Sequence, residues 1–463
     1  MPAIVRQTMS RRLAKDLLED LKGTTNSYYI GIAKSDPFNV QDTVVDPIDS
    51  PRVEREFRNG LQSIKAIEDA TFVAKRVNWS SGSRYAAWDD SIPSDIVEPW
   101  TPWYVMNDAK EVYVCMVAPT DLSGNAINST VEPNWGFHAP MSAETDPTAP
   151  MYNVREWWKP FTTTDGYVWK FLYTLTPERI FQFLSSNHIP VQEAEPDLPT
   201  GDSIEDLQTT VKMNAIGGQI LALKVDVAGE GYTTAPTIII DGDGTGAQAT
   251  AIMSGDGILK VVMDDFGSGY TNASVRIIGD GTTEAVLSPV ITSPEGLGYN
   301  PINDLKTSSI MTNIKPDGDV NGTFLVDGTE FRQMGLIRNP VTPTGDAFTA
   351  QSANVLPTMT LASASTFESG RMITSTSGAS AWVDGTDGET VYFHQNEETG
   401  FKDFDTSGGE VINQEGQVAV ALVSVEPQNG IDRSSGDVLY IESRHRIRRD
   451  AEQQEDIKIV ITV

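Results

Sequence analysis

The run Asp165-Gly166-Tyr167-Val168-Trp169-Lys170-Phe171-Leu172-Tyr173-Thr174-Leu175 constrains this chain more than any other stretch. After the Asp-Gly turn the residues alternate. Tyr167, Trp169, Phe171, Tyr173 and Leu175 fall on one face of a strand, with Val168, Lys170, Leu172 and Thr174 on the other. An aromatic side chain buries roughly 150–250 Å², so this wall belongs inside a hydrophobic core. Thr176 and Pro177 read as the N-cap and first residue of a short helix through Glu178 to Leu184. The pattern describes a core and names no activity.

With 463 residues the chain is expected to form two or three domains. No run is long and apolar enough to span a bilayer, and the start, MPAIVRQTMSRRLAKDLLED, lacks the apolar segment of a secretory signal. The expectation is synthesis in a cytoplasm without membrane insertion. A formal charge of −30 repels phosphate, which argues against a nucleic-acid partner and keeps the chain soluble while it awaits others. The single cysteine, Cys115, sits in the apolar run Val112 to Val117 and reads as a buried small hydrophobe.

Near the N-terminus, Leu13, Leu17, Leu18 and Leu21 recur at helical spacing, predicting an amphipathic helix from Ser10 to Leu21 with Gly23 beyond its end. A strand follows from Ser27 to Ala33, running into a turn at Pro37 and Phe38. Glu54 to Ala70 reads as a second helix and Thr71 to Val77 as a strand. Eight of the nine tryptophans precede Lys170, which sets residues 1 to about 200 apart in composition. Trp100, Trp103, Trp135, Trp157 and Trp158 lie among Pro, Thr and Asn. Such residues stack on sugars in carbohydrate-binding modules, but aromatics also dominate cores and interfaces, and the second reading is preferred. Trp157 and Trp158 are therefore candidate partner-binding residues.

Residues 185 to 216 read as a Pro- and acid-rich connection, and an internal repeat with a spacing of 38 follows. Ile220-Leu221 aligns with Ile258-Leu259, and Gly229-Glu230-Gly231-Tyr232-Thr233 with Gly267-Ser268-Gly269-Tyr270-Thr271. Gly296-Leu297-Gly298-Tyr299 reads as a decayed third copy. Each unit has alternating β runs around a G-x-G-Y turn, where glycine permits positive φ. The G-x-G pairs are not a dinucleotide fingerprint, because no third glycine opens a helix. Asp241 and Asp243 are conceivable calcium ligands, but the run lacks the remaining acids of an EF-hand loop, so turn chemistry is preferred. From about Phe348 to Asn429 the chain is Ser-, Thr- and Gly-rich with short alternating strands, a second inserted β module. The basic run Arg444-His445-Arg446-Ile447-Arg448-Arg449 is the one cationic patch. Arg444, Arg446, Arg448 and Arg449 are candidate contacts to acidic subunits, the alternative being a solvated hairpin tip.

Several of these segments share one further property. The run TDGYVWKFLYTLTPE, the strand and turn from Ser27 to Phe38, the stretches Val77 to Tyr85 and Glu111 to Pro119, Phe331-Arg332-Gln333 leading to Asn339-Pro340, and the C-terminal Ser435 to Arg444 with its last strand ending at Val463 resemble, in order, the gene product eight family of baseplate wedge subunits in T-even-like contractile-tailed phages. Phe38 stands where the family has Trp, and the inserts at about 217 to 300 and 346 to 429 lie outside the likeness. The resemblance implies a structural protein of the virion tail baseplate, a homodimer, with the counterparts of gene products six, seven and ten as partners. It implies no catalytic role and no cofactor.

The residues offer no competing chemistry. His138, His188, His394 and His445 have no recognisable catalytic context, and no His/Cys cluster has metal-ligand spacing. Paired carboxylates are abundant and so carry little information about a glycosidase. The second reading is a receptor- or glycan-binding tail protein, supported by the repeat and the loop tryptophans. The fold expected is α+β and β-rich, with a few helices. Its β-sandwich core is built from residues 1–216, 301–345 and 430–463, and carries two inserted β modules at 217–300 and 346–429.

Overall fold

The computed structural model describes residues 6–34, 44, 46–92, 101–121, 123–149, 151, 153–192, 204–315, 330–427, 430–448 and 455–463. The fold is α+β and rich in strand, with several separate sheets and a small closed barrel. Residues divide into two compact units, one of Met1–Lys15, Thr71–Met311 and Ile461–Val463, the other of Asp16–Ala70 and Thr312–Val460.

In the first unit the aromatic strand, Val168–Thr174, lies inside a four-stranded antiparallel sheet. Glu111–Val117 pairs with one edge and Phe161–Thr162 with the other, so Trp169 faces Cys115 on one neighbour and Phe161 on the other. All five residues of the expected face are buried, and so are Lys170 and Leu172 on the opposite face. Tyr167 stacks on Trp169 at 5.5 Å between centroids, and Tyr85 meets Trp169 edge-on at 5.6 Å. The turn before the strand is held by the Asp165 carboxylate, which accepts from the Thr130 and Val131 amides at 2.7 and 2.9 Å and from the Thr163 hydroxyl. After the strand, the Thr176 hydroxyl accepts from the Arg179 amide at 3.3 Å and caps the helix Pro177–Phe183, as expected.

Two local expectations are corrected. The helix expected over Glu54 to Ala70 spans only Pro51–Asn59 and stops at Gly60, and Leu61–Ala66 is a strand. That strand is internal to its sheet and nearly every residue is buried, so the two-residue alternation that marks a half-exposed strand is missing. The connection expected over 185 to 216 contains the strand His188–Pro190 and the helix Ile204–Met213. Leu207 and Val211, one helical turn apart, pack on the aromatic cluster, a stripe too narrow to stand out among acids and threonines. The turn at Pro37 and Phe38 and the ring of Trp100 lie outside the described residues.

The repeat folds as a two-fold. Strands Ile220–Val227, Thr237–Gly242 and Thr245–Ser254 make its first half, and Gly257–Ser268, Ala273–Ile278 and Val286–Ile291 its second. The first strand of each half pairs with the third strand of the other, and the two middle strands pair together, all antiparallel. Displacing each pair of Ile220–Val227 with Val286–Ile291 by the repeat spacing and exchanging the halves yields an observed pair of Thr245–Ser254 with Gly257–Ser268, and the middle pairs from Thr237 to Ile240 map onto one another. Thr237↔Ile278 becomes Ile240↔Val275, and Val286↔Val227 becomes Gln248↔Asp265. Even the irregularities obey: those at Val286/Leu287 and Val290/Ile291 recur at Gln248/Ala249 and Ile252/Met253.

Side chains lock this exchange. The Tyr232 hydroxyl accepts from the Ala285 amide at 2.9 Å, and the Tyr270 hydroxyl from the Ala247 amide at 3.4 Å. Both glycines of each G-x-G-Y turn have positive φ, as do Gly296 and Gly298. The third copy departs afterwards: Tyr299 is 42% exposed where Tyr232 and Tyr270 are 5% and 3%, and a short helix, Pro301–Asp304, replaces the next strand.

The second unit holds a five-stranded antiparallel sheet in the order Ser352–Asn354, Leu61–Ala66, Tyr28–Ala33, Glu330–Arg338, Asp437–Arg448. Gly31 and Gly335 are register partners at its centre, and a Cβ on Gly335 would come within 2.6 Å of the Phe57 ring. Two glycines in adjacent strands thus make the hollow that seats the buried Phe57 of the helix Pro51–Asn59. Six short strands between residues 358 and 426 close the barrel around a core that includes Met359, Ile373, Val383, Val391, Phe393 and Ile412.

The exchange of tyrosines gives an expected outcome. Tyr232→Phe removes the acceptor of a buried amide and lowers unfolding stability by about 1–3 kcal/mol. Tyr270→Phe, whose hydrogen bond is longer and only part-buried, costs less. Urea denaturation of both variants checks the order, and a larger loss for Tyr270→Phe would contradict it.

Candidate functional site

The candidate partner-binding residues fall in different units. Trp157 and Trp158 belong to the first, where both are half-buried against the aromatic cluster. Their rings meet edge-on at 5.0 Å, Trp135 tilts against Trp157 at 5.9 Å, and the Trp157 indole N–H donates to the Leu207 carbonyl. Trp103 is fully buried. Among the described residues the loop tryptophans are therefore largely spent on packing.

The arginines lie in the second unit on Asp437–Arg448, the edge strand of the five-stranded sheet, so the hairpin-tip alternative is corrected. The register with Glu330–Arg338 breaks twice. Leu439 is skipped between the pairs Leu336↔Tyr440 and Ile337↔Val438, and Arg444 to Arg446 bulge opposite Arg332 alone, between Phe331↔Ile447 and Gln333↔Ser443. Arg444, His445, Arg446 and Arg448 are exposed. Arg444 pairs with Glu442, Arg446 lies 3.8 Å from Glu330, and Arg448 faces Glu330 in register. Arg449 lies outside the described residues.

Two buried polar clusters escaped the sequence. In the first unit Asp304 is a hub: its backbone carbonyl accepts from the indoles of Trp88 and Trp103 at 3.1 and 3.0 Å, and its carboxylate accepts from the Gly298 amide at 2.7 Å. Lys170, the one cation of the aromatic strand, donates to the Trp158 carbonyl at 3.0 Å. Burial pushes the Asp304 carboxyl up to about 7, against the Gly298 amide and the positive charges of Lys170 and Arg11, with Glu295 adding to the rise. Burial likewise brings the Lys170 ammonium down to about 8 despite Asp304. Beside them Lys306 sits over the rings of Trp88 and Trp103, 4.6 and 5.4 Å from their centroids.

The second unit has a comparable cluster. Asp384 and His394, from adjacent barrel strands, are both inaccessible and 2.6 Å apart. The Gln62 amide donates to the other Asp384 oxygen at 2.9 Å and to the Glu330 carbonyl at 3.0 Å, tying barrel to sheet. Burial raises the Asp384 carboxyl, but His394, Lys34 and Gln62 outweigh it and hold the group below the ordinary carboxylate range.

Of three clefts among the described residues, none is lined by these hubs. The largest, about 560 Å³ and mainly apolar, lies on the two-fold of the repeat, touched by equivalent residues such as Leu221 and Leu259, Leu223 and Val261, and Val225 and Met263. A second, about 390 Å³, is lined by Lys75, Arg76 and His188 among others, and a third of about 140 Å³ by Lys34, Arg52 and Glu56 among others. The Asp241 and Asp243 carboxylates serve the module. Asp243 takes the Thr271 hydroxyl and the Thr271 and Asn272 amides, which hold it at about 2, while Asp241 pairs with Arg276 at 3.3 Å. Among the described residues no group of three His, Cys, Asp or Glu side chains is placed to hold a metal ion, and no helix is long and apolar enough to cross a membrane.

The hubs make signed predictions. Asp304 is harder to ionise folded than unfolded, so stability falls as pH rises from about 4 towards 7; Lys170 acts oppositely, with stability regained from about 8 towards 10.5. Urea midpoints between pH 5 and 7 should decline in the parent chain, with a slope of at most about 1.4 kcal/mol per pH unit, and much less in Asp304→Asn. Asp384→Ala strips a buried imidazole and amide of their partner and is expected to cost about 3–5 kcal/mol, measured by denaturation.

No protein-family model matches the chain, and no curated protein matches it.

Proposed function

We propose that this chain is a structural subunit of the baseplate wedge of a contractile phage tail, holding neighbouring wedge proteins together. The observation that supports this reading is where the resembling segments fall. Tyr28–Ala33, Glu330–Arg338 and Asp437–Arg448, far apart in sequence, are consecutive strands of one sheet. Glu111–Val117 and Val168–Thr174 are neighbours in another, and Tyr85, from a further segment, packs on Trp169. Chance likeness between short strings gives no reason for them to meet as hydrogen-bonded framework strands.

On this reading the duplicated module and the barrel are additions, accommodated where a framework tolerates insertion. The working form is a homodimer in the virion's tail baseplate, its partners are the counterparts of gene products six, seven and ten, and it carries out no chemistry and needs no cofactor. The packing of Trp103, Trp135, Trp157 and Trp158 weakens the receptor- or glycan-binding reading, which needs aromatic faces open to a sugar ring. Light scattering of the purified chain is expected to give the mass of two chains. A three-chain mass would overturn the proposal in favour of a receptor-binding tail protein, because fibre-like binders are commonly trimeric.

A further inference from the structure

We infer that the edge strand Asp437–Arg448 is a docking surface for an acidic face of a partner subunit, an inference that rests on the scaffolding role and assigns it a place. The strand terminates its sheet, and among the described residues no strand pairs with its outer edge. Such an edge ordinarily invites a further strand, but bulges and charges block that mode. Both are present here, at Leu439 and at Arg444 to Arg446, so the contact is made by side chains and not by backbone pairing.

What the bulges display is specific. Leu439 is 50% exposed, and the side chains of Arg444 and Arg446 are 46% and 50% exposed. A single charge suffices to protect an edge. Here three arginines gather within five residues of a chain with 64 acids and 34 Lys or Arg, on the same strand as the exposed Leu439. Charge complementarity therefore selects an acidic protein surface. A nucleic acid would meet the same arginines, but it is densely charged along its whole length and meets the repulsion of a net charge of −30 throughout, whereas a protein partner need be acidic only where it docks. Rim charges of this kind set encounter rate and partner choice, so binding through them weakens as salt rises.

The test uses the full chain and a labelled oligoglutamate peptide, read by fluorescence anisotropy at low salt. Binding is expected, and Arg444→Glu with Arg446→Glu should weaken it by about tenfold or more. Arg52→Glu with Arg276→Glu, exposed arginines elsewhere, makes the same change in net charge and should leave it nearly unchanged. Because reversal sets new acids beside Glu442 and Glu330, Arg444→Gln with Arg446→Gln serves as the second variant and should weaken binding in the same direction. Absence of binding, equal losses in both reversed pairs, unchanged binding in the Gln variant, or tighter binding of duplex DNA would each overturn the inference. A two-chain mass without oligoglutamate binding removes this surface and leaves the scaffolding role; binding by a three-chain species does the reverse.

Discussion

The first unit depends on a strand buried on both faces. Burying Tyr167, Trp169, Phe171, Tyr173 and Leu175 on one side is the ordinary work of a core, but Val168–Thr174 also carries Lys170, and its ammonium has nowhere to go. A buried cation is tolerated only with partners. The Trp158 carbonyl and the charge of Asp304 supply them, and Asp304 then becomes a point through which distant segments are tied: two indoles on its carbonyl, the Gly298 amide on its carboxylate. The third G-x-G-Y copy stands outside the two-fold, and its Gly298 amide is a ligand of this hub. Gly298 is also tight against Lys170, since a Cβ there would lie 3.0 Å from the lysine Cε.

The duplicated module shows a different economy. Neither half pairs its own first and third strands; each takes both partners from the other half, so neither half has a complete set of strand partners alone. Asp243 of the first half closes the Thr271 turn of the second, and Asp280 of the second closes the Thr233 turn of the first. Asp243, which looks like a cation ligand in the linear sequence, is thus one of two turn caps contributed in exchange, while Asp241 pairs with Arg276.

Legibility in the sequence follows from how local each determinant is. The Asp165-Gly166 turn, the alternation after it and the Thr176-Pro177 cap are set by residues within a few positions of one another, and all three hold. The repeat was visible where glycines force a backbone conformation. Its third strands, Thr245–Ser254 and Val286–Ile291, share register and irregularities with little shared sequence, because a strand pair constrains pattern and not identity. The strand Leu61–Ala66 reads as helix in the sequence because burial on both faces erases its two-residue period. The hubs were invisible for a simpler reason: Asp384 meets Gln62, and Asp304 meets Trp88, across chain separations that no spacing rule reaches.

The same distinction separates the two candidate surfaces. A tryptophan in a loop carries no mark of what it will cover, and Trp157 proves to cover its neighbours and the helix Ile204–Met213. A basic run in an acidic chain is constrained more tightly. Burying such residues together would require a matching set of acids and carbonyls, whereas placing Arg444, Arg446 and Arg448 on an edge strand leaves them solvated at little cost. The free end of a sheet is thus where a chain of this composition can hold a cationic patch without disturbing its core. It is also where another subunit can reach that patch, so the position that folding tolerates best coincides with the one that assembly would use.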